Sequence, residues 1–232
     1  MSQRAEGNDG YRHTPRDVRH GVQHELRGCR RTYRRRGDAC AAAARTVDRH
    51  RALVGSFNCE EQGKYFNRAF FVTPSHLCYF YDKRHLFRMG EEADHFSAGS
   101  KQLIIPYKGF NIALLVCYDL RFPVWSRNRD NGYDVLVYVA NWPASRRKVW
   151  DTLLRARALE NMSYVIGVNR VGTDGYKLPY DGGSIVISAK GETLASVADN
   201  TEGTATVSID TESLIHFRNK FPVWKDADAF KL

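Results

Sequence analysis

The sequence predicts a layered α/β domain over residues 53–232. Three observations carry that expectation. Phe110–Val116, Val135–Ala140 and Tyr164–Val168 are near-continuous apolar runs of strand length, the pattern of strands buried on both faces. Between the last two, Trp150, Leu153, Leu154, Arg157, Ala158 and Asn161 recur at helical spacing. A content of 43% apolar and 12% aromatic residues is enough to fill a sizeable core and excludes global disorder. Strands alternating with helices over this length imply stacked layers.

Taken in order, Leu53–Phe57 and Tyr65–Val72 read as two strands separated by the turn-like Glu61-Gln-Gly63, and Leu77–Tyr81 continues the meander. Leu103–Ile105 precedes the apolar run at Phe110–Val116. The stretch Asp119–Asn131 is expected to be helical, with Pro123 near its start, where proline is tolerated. After the 135–140 strand, the 150–161 helix and the 164–168 strand, Gly182–Ser188 and Gly203–Ile209 read as further strands. No repeat or linker interrupts residues 53–232.

Residues 1–52 follow a different grammar. Residues 1–50 hold twelve arginines, no lysine and six acidic residues, a net +6 of the whole chain's +9. They contain no Phe, Trp or Ile, and Leu26 is their only leucine. Alone, such a segment reads as a disordered basic arm. The other 182 residues are nearly balanced. No apolar run is long enough to span a bilayer, and the N-terminus lacks the apolar stretch of a secretory signal, so a cytoplasmic protein is expected.

Chemistry concentrates around Leu115-Val-Cys117-Tyr-Asp-Leu-Arg121-Phe-Pro123. Cys117 ends an apolar strand before an expected helix, where N-terminal amides favour a thiolate and the Tyr118 amide can receive an oxyanion. A lone cysteine after a hydrophobic strand is more often core filling. The other cysteines show no paired metal-ligand spacing with histidine, so zinc is not expected.

That heptad, Cys-Tyr-Asp-Leu-Arg-Phe-Pro, resembles the nucleophile signature of the nitrilase superfamily of carbon–nitrogen hydrolases. Tyr81-Asp-Lys83-Arg-His85-Leu-Phe87 resembles the segment carrying that family's catalytic lysine, and Gly90-Glu-Glu92-Ala-Asp-His-Phe-Ser-Ala-Gly99 the one carrying its second active-site glutamate. Tyr138-Val-Ala-Asn-Trp142-Pro143, the continuation Arg155–Arg170, and Phe217–Asp228 are similar to the ω-amidase-like branch, which acts on small dicarboxylate monoamides. The resemblance covers about residues 53–232. It implies a four-layer α-β-β-α sandwich, a homodimer and no cofactor or metal. The implied substrate is a small amide, such as the ω-amide of a 2-oxo acid, rather than nucleic acid or membrane.

It also implies roles. Cys117 would attack the carboxamide carbon, Lys83 would stabilise thiolate and oxyanion with the Tyr118 amide, and Glu92 would hold the lysine or the attacking water. Arg121 has two readings: a salt link to Asp119 that orients the turn, or direct binding of a substrate carboxylate. Trp142 either lines the pocket or simply packs beside it. His85 invites comparison with a Cys/His thiol enzyme, but in the lysine motif a structural role is the stronger reading.

One element of the resemblance is missing: an N-terminal Pro-Glu carrying the general base after a first strand and helix. Glu25, with no preceding proline or strand, is a poor substitute. Back-translating Pro15–His24 with suitable codons and reading one nucleotide later gives Pro-Glu-Met-Phe-Ala-Thr-Gly-Phe-Ser, which closely resembles that element. Residues 1–52 are therefore expected to be an out-of-frame translation, with the first strand, helix and base lost from this reading. Two other classes stay open: a catalytically dead interaction subunit, and a nucleic-acid binder using the arginine-rich arm. Within the family, another amidase, a carbamoylase or a nitrilase is the alternative.

Overall fold

The computed structural model describes residues 51–229 and Lys231. The arginine-rich segment up to residue 50, with Glu25, lies outside these residues.

A three-stranded antiparallel sheet is formed by β1 (Leu53–Glu61), β2 (Lys64–Val72) and β3 (Cys78–Asp82). β1 and β2 pair from Leu53↔Val72 to Glu61↔Lys64. Their connection is Gln62-Gly63, both at positive φ (53° and 75°), the two-residue hairpin geometry that matches strand twist. The second sheet has six strands. They are β4 (Ile104–Tyr107), β5 (Phe110–Val116), β6 (Val135–Ala140), β7 (Tyr164–Asn169), β10 (Ile185–Ile187) and β11 (Thr193–Ser196), in the order β11-β10-β7-β6-β5-β4. β8 (Val171–Thr173) and β9 (Pro179–Asp181) form a separate small hairpin.

The centre of the larger sheet, β5-β6-β7, is parallel, which explains the unbroken apolarity of those three runs. Residues of β2 and β3 (Ala69, Phe71, Tyr81) share one buried cluster with Leu114, Val116, Val137 and Val139, so the two sheets pack together. Helix α3 (Arg147–Asn161) makes the parallel crossover from β6 to β7. Its Trp150 and Leu154 are fully buried against Gly167 of β7, where an added Cβ would lie 2.4 Å from Leu154 Cδ1. The remaining helices are α1 (Glu92–His95), α2 (Pro123–Ser126) and α4 (Thr211–Lys220), the last capped by Asp210 accepting from the Ser213 N–H. No described helix is long and apolar enough to cross a membrane.

Two expected elements differ. In place of one helix over 119–131 there is a 3-10 turn, Cys117–Arg121, followed by the four-residue α2. Pro123 is the cause, because it forces Phe122 into an extended conformation (φ −113°, ψ 90°) that a continuous helix cannot accommodate. Residues 203–209 form no strand, and only Val207 and Ile209 among them are half-buried.

Candidate active site

The site lies at the carboxyl ends of the parallel strands, the usual position for ligands in open α/β sheets. Cys117 directly follows β5 and adopts a left-handed backbone conformation (φ 45°), an uncommon one for a residue with a side chain. This turns the chain sharply and brings the half-buried Cys117 to the wall of a cavity of about 270 Å³. The thiol points toward the Asn141 carbonyl, 3.7 Å away, just beyond the end of β6. Tyr118 follows at the start of the 3-10 turn, where the first amides have no intrahelical partner.

Lys83 follows the last residue of β3. Its own N–H donates to the Asn67 carbonyl and its carbonyl accepts from the Gly99 N–H, both at 2.9 Å. Glycine is required at position 99, because a Cβ there would meet the Asp82 carbonyl oxygen at 2.1 Å. The Lys83 ammonium, only 3% exposed, donates to Glu92 Oε2 at 2.5 Å. Glu92 is held in turn by the Phe87 N–H (2.6 Å, to Oε2) and the Asn67 side-chain amide (2.8 Å, to Oε1). Cys117, Lys83 and Glu92 all line the same cavity. Lys83 and Glu92 form a sequestered ion pair, in which removing either member strands the other away from water.

Burial pushes the Cys117 thiol above its ordinary pKa, while the Lys83 charge pulls it down and Glu92 opposes that pull. The expectation that helix amides would favour the thiolate thus gives way to desolvation at a half-buried site.

Beneath the turn that bears Cys117 sits Asp119, completely buried. One oxygen accepts from Tyr81 Oη (2.8 Å) and the Val116 N–H (3.1 Å); the other accepts from the His85 N–H (2.9 Å) and lies 2.8 Å from His85 Nδ1. The carboxylate therefore ties the loop after Lys83 to the turn bearing Cys117. His85 is engaged with Asp119 and stacked on Phe122, with ring centroids 3.8 Å apart. This geometry fits the structural reading of His85.

Arg121 differs from its first reading. Asp119 is satisfied without it, and none of the described ion pairs includes Arg121. Its guanidinium lies instead over the Trp142 ring, 5.5 Å from the centroid, at the cavity wall. Trp142 is buried and also lines the cavity. Its backbone is clamped by Asn169, which accepts from the Trp142 N–H (2.7 Å) and donates to the Trp142 carbonyl (2.9 Å). Among the further lining residues, Asn67, Arg146 and Asp174 lie outside the motifs quoted from the sequence. Each comes from a segment whose nearness to Cys117 depends on the packing of separate elements, so no local pattern marks it.

Comparison with known proteins identifies the family. The carbon-nitrogen hydrolase family profile matches residues 38–219. The Escherichia coli K12 omega-amidase YafV is 47% identical over 180 residues, spanning 78% of this chain and 70% of that enzyme. A Bacillus subtilis 2-oxoglutaramate amidase is 35% identical over 147 residues, or 63% of this chain and 56% of that one. Among solved structures, a CN-hydrolase superfamily protein from Xanthomonas campestris, XC1258, superimposes with a TM-score of 0.80 at 39% identity. That match covers 87% of this chain and 78% of the other, which carries an arsenic adduct in its active site. The mixed α/β architecture is that of these neighbours, and the chain belongs to the carbon-nitrogen hydrolase family of the nitrilase superfamily.

Proposed function

We propose that the site hydrolyses the ω-amide of a small 2-oxo dicarboxylic acid monoamide, of the 2-oxoglutaramate type, releasing ammonia through a Cys117 thioester. The observation that carries this reading is the convergence of Cys117 with the buried Lys83–Glu92 pair in one cavity. The substrate class rests on the names of the similar enzymes.

In this reading the Cys117 sulfur attacks the carboxamide carbon. The oxyanion that forms is stabilised by the Lys83 ammonium and the Tyr118 N–H. The thiol proton passes by way of a base to the departing nitrogen, ammonia leaves, and a thioester remains. Water then adds to the thioester carbon, the tetrahedral species collapses, and the carboxylic acid and thiol are restored. Glu92 is a positioning group for Lys83 and for the attacking water. Arg121 binds the substrate's distal carboxylate, and Trp142 forms a wall of the site. A thiol that forms a thioester gives up its proton, and in this reading the acceptor is the family's base glutamate, which corresponds to the out-of-frame element read near Pro15. We extend the proposal accordingly: residues 1–52 are a frame-shifted translation, and the enzyme is a cytoplasmic homodimer.

The test is ammonia release from a panel of amides, carbamoyl compounds and nitriles by the chain as written and by a chain with the frame restored ahead of codon 53. The restored chain should turn over ω-amides of 2-oxo acids fastest and lose turnover on Cys117→Ala. Equal or better turnover of nitriles or carbamoyl compounds would move the assignment to another branch. Genomic sequencing upstream of codon 53 that finds an intact reading frame overturns the frame-shift proposal.

A further inference from the structure

We infer that Arg146, which lies outside the motifs that identified the site, is a specificity-determining residue that recognises the substrate's carboxylate together with Arg121. The inference rests on the amidase reading above and deepens it.

The arginines of α3, of the residue before it and of the Cys117 turn fall into two groups. Arg147 is consumed by Asp151, Asp181 and Asp199; Arg157 by Glu160 and the Leu120 carbonyl; Arg155 by the Gly191 carbonyl and Thr193. Arg121 and Arg146 are the pair that line the cavity, and neither belongs to any of the described ion pairs. Each is steered by an aromatic face instead. Arg121 lies over Trp142 at 5.5 Å, and Arg146 over Phe87 at 5.0 Å. Stacking fixes the plane of a guanidinium while leaving its N–H edge for a ligand.

The placement relates this edge to the chemistry. The Phe87 N–H holds Glu92, the partner of Lys83, and the Phe87 ring contacts Tyr118 at 5.0 Å. Arg146 is also joined to the Arg121 side, since its backbone carbonyl accepts from Trp142 Nε1 at 2.8 Å. Three carboxylates line the same cavity, Glu91, Glu92 and Asp174, and none of the described ion pairs joins one of them to Arg121 or Arg146; Glu91 is exposed. Glu92 is taken by Lys83, and Asp174 accepts from the Tyr176 and Leu178 amides and from Tyr180 Oη. Two guanidiniums with unoccupied edges at the wall of a small cavity suit a planar carboxylate, which accepts bidentate bonds from arginine. A ligand joining both demands would carry an amide at Cys117 and a carboxylate a few bonds away.

The experiment compares succinamate with butyramide, which has a methyl group where succinamate has a carboxylate. Binding to the full chain carrying Cys117→Ala is measured by calorimetry, so the answer does not depend on turnover. The parent should prefer succinamate. Arg146→Gln should weaken succinamate binding about 10- to 100-fold, the range for one charge-assisted hydrogen bond, and leave butyramide within about twofold. Arg146→Lys should restore part of the loss. The Trp142 bond to the Arg146 backbone survives both substitutions, and circular dichroism checks the fold. Unchanged succinamate binding in Arg146→Gln, or equal weakening of both ligands, overturns the assignment to Arg146 alone. A parent chain with no preference for succinamate overturns the substrate reading as well.

Discussion

At the scale of single residues, Cys117 is under two opposed influences. Burial penalises its thiolate, and the Lys83 ammonium favours it, with burial the stronger. The sign has a direct consequence. Alkylation of Cys117 by iodoacetamide, followed by peptide mapping, should accelerate with pH through a midpoint above that of an ordinary cysteine. Lys83→Met removes the downward pull and should move the midpoint higher still. A midpoint below the ordinary thiol range would show that burial is not the stronger influence, and one unmoved in Lys83→Met would show that the two groups are not coupled. Asp119 makes the complementary prediction. Both its oxygens receive donors, so Asp119→Asn points an amide N–H at one of them. The cost should be roughly 1–3 kcal/mol, the penalty for an unsatisfied buried polar group, read by urea unfolding. A change under about 0.5 kcal/mol, the scale of a neutral surface substitution, would deny Asp119 its role as a tie between the Lys83 and Cys117 segments.

At the scale of elements, the parallel strands β5, β6 and β7 were legible because burial on both faces leaves no room for alternation. The helix that crosses between the last two was legible from its stripe through Trp150 and Leu154. The close seat of that helix on Gly167 can be tested. Gly167→Ala would press a methyl group onto Leu154 and Trp150, both fully buried and unable to retreat into solvent. Overpacking of about 1–3 kcal/mol should lower Tm by roughly 2–10 °C in a domain of this size, measured by a thermal scan. A Tm unchanged or raised would mean that the α3–β7 seat is looser than described. Helix α4 escaped the sequence because it buries little, only Leu214 and Arg218 fully, so its apolar stripe is faint. The strand expected over 203–209 fails for the converse reason. Its β-branched composition suits a strand, yet none of the described sheets takes it in as a partner.

At the scale of the molecule, the two sheets place segments that are remote in sequence around one thiol. Cys117, Lys83 and Glu92 were legible as candidates because each sits in a segment that resembles a motif of the family. Asn67 and Arg146 were not, since their relevance arises only when β2 and the segment before α3 converge. The same convergence corrected Arg121, whose spacing from Asp119 suggests a salt link but whose guanidinium lies over Trp142 at the cavity wall. The Lys83–Glu92 pair beside a half-buried thiol, with Arg121 and Arg146 at the cavity wall, is the arrangement on which the proposed hydrolysis of a small charged amide rests.

The central claim is that amide hydrolysis proceeds through Cys117, and intact-mass spectrometry of rapidly quenched enzyme tests it most directly. During turnover of succinamate by the frame-restored chain, the protein should gain the mass of the succinyl acyl group, mapped to the peptide containing Cys117. The adduct and ammonia release should both vanish in Cys117→Ala. Turnover with no adduct at Cys117, together with full ammonia release by Cys117→Ala, would contradict the account.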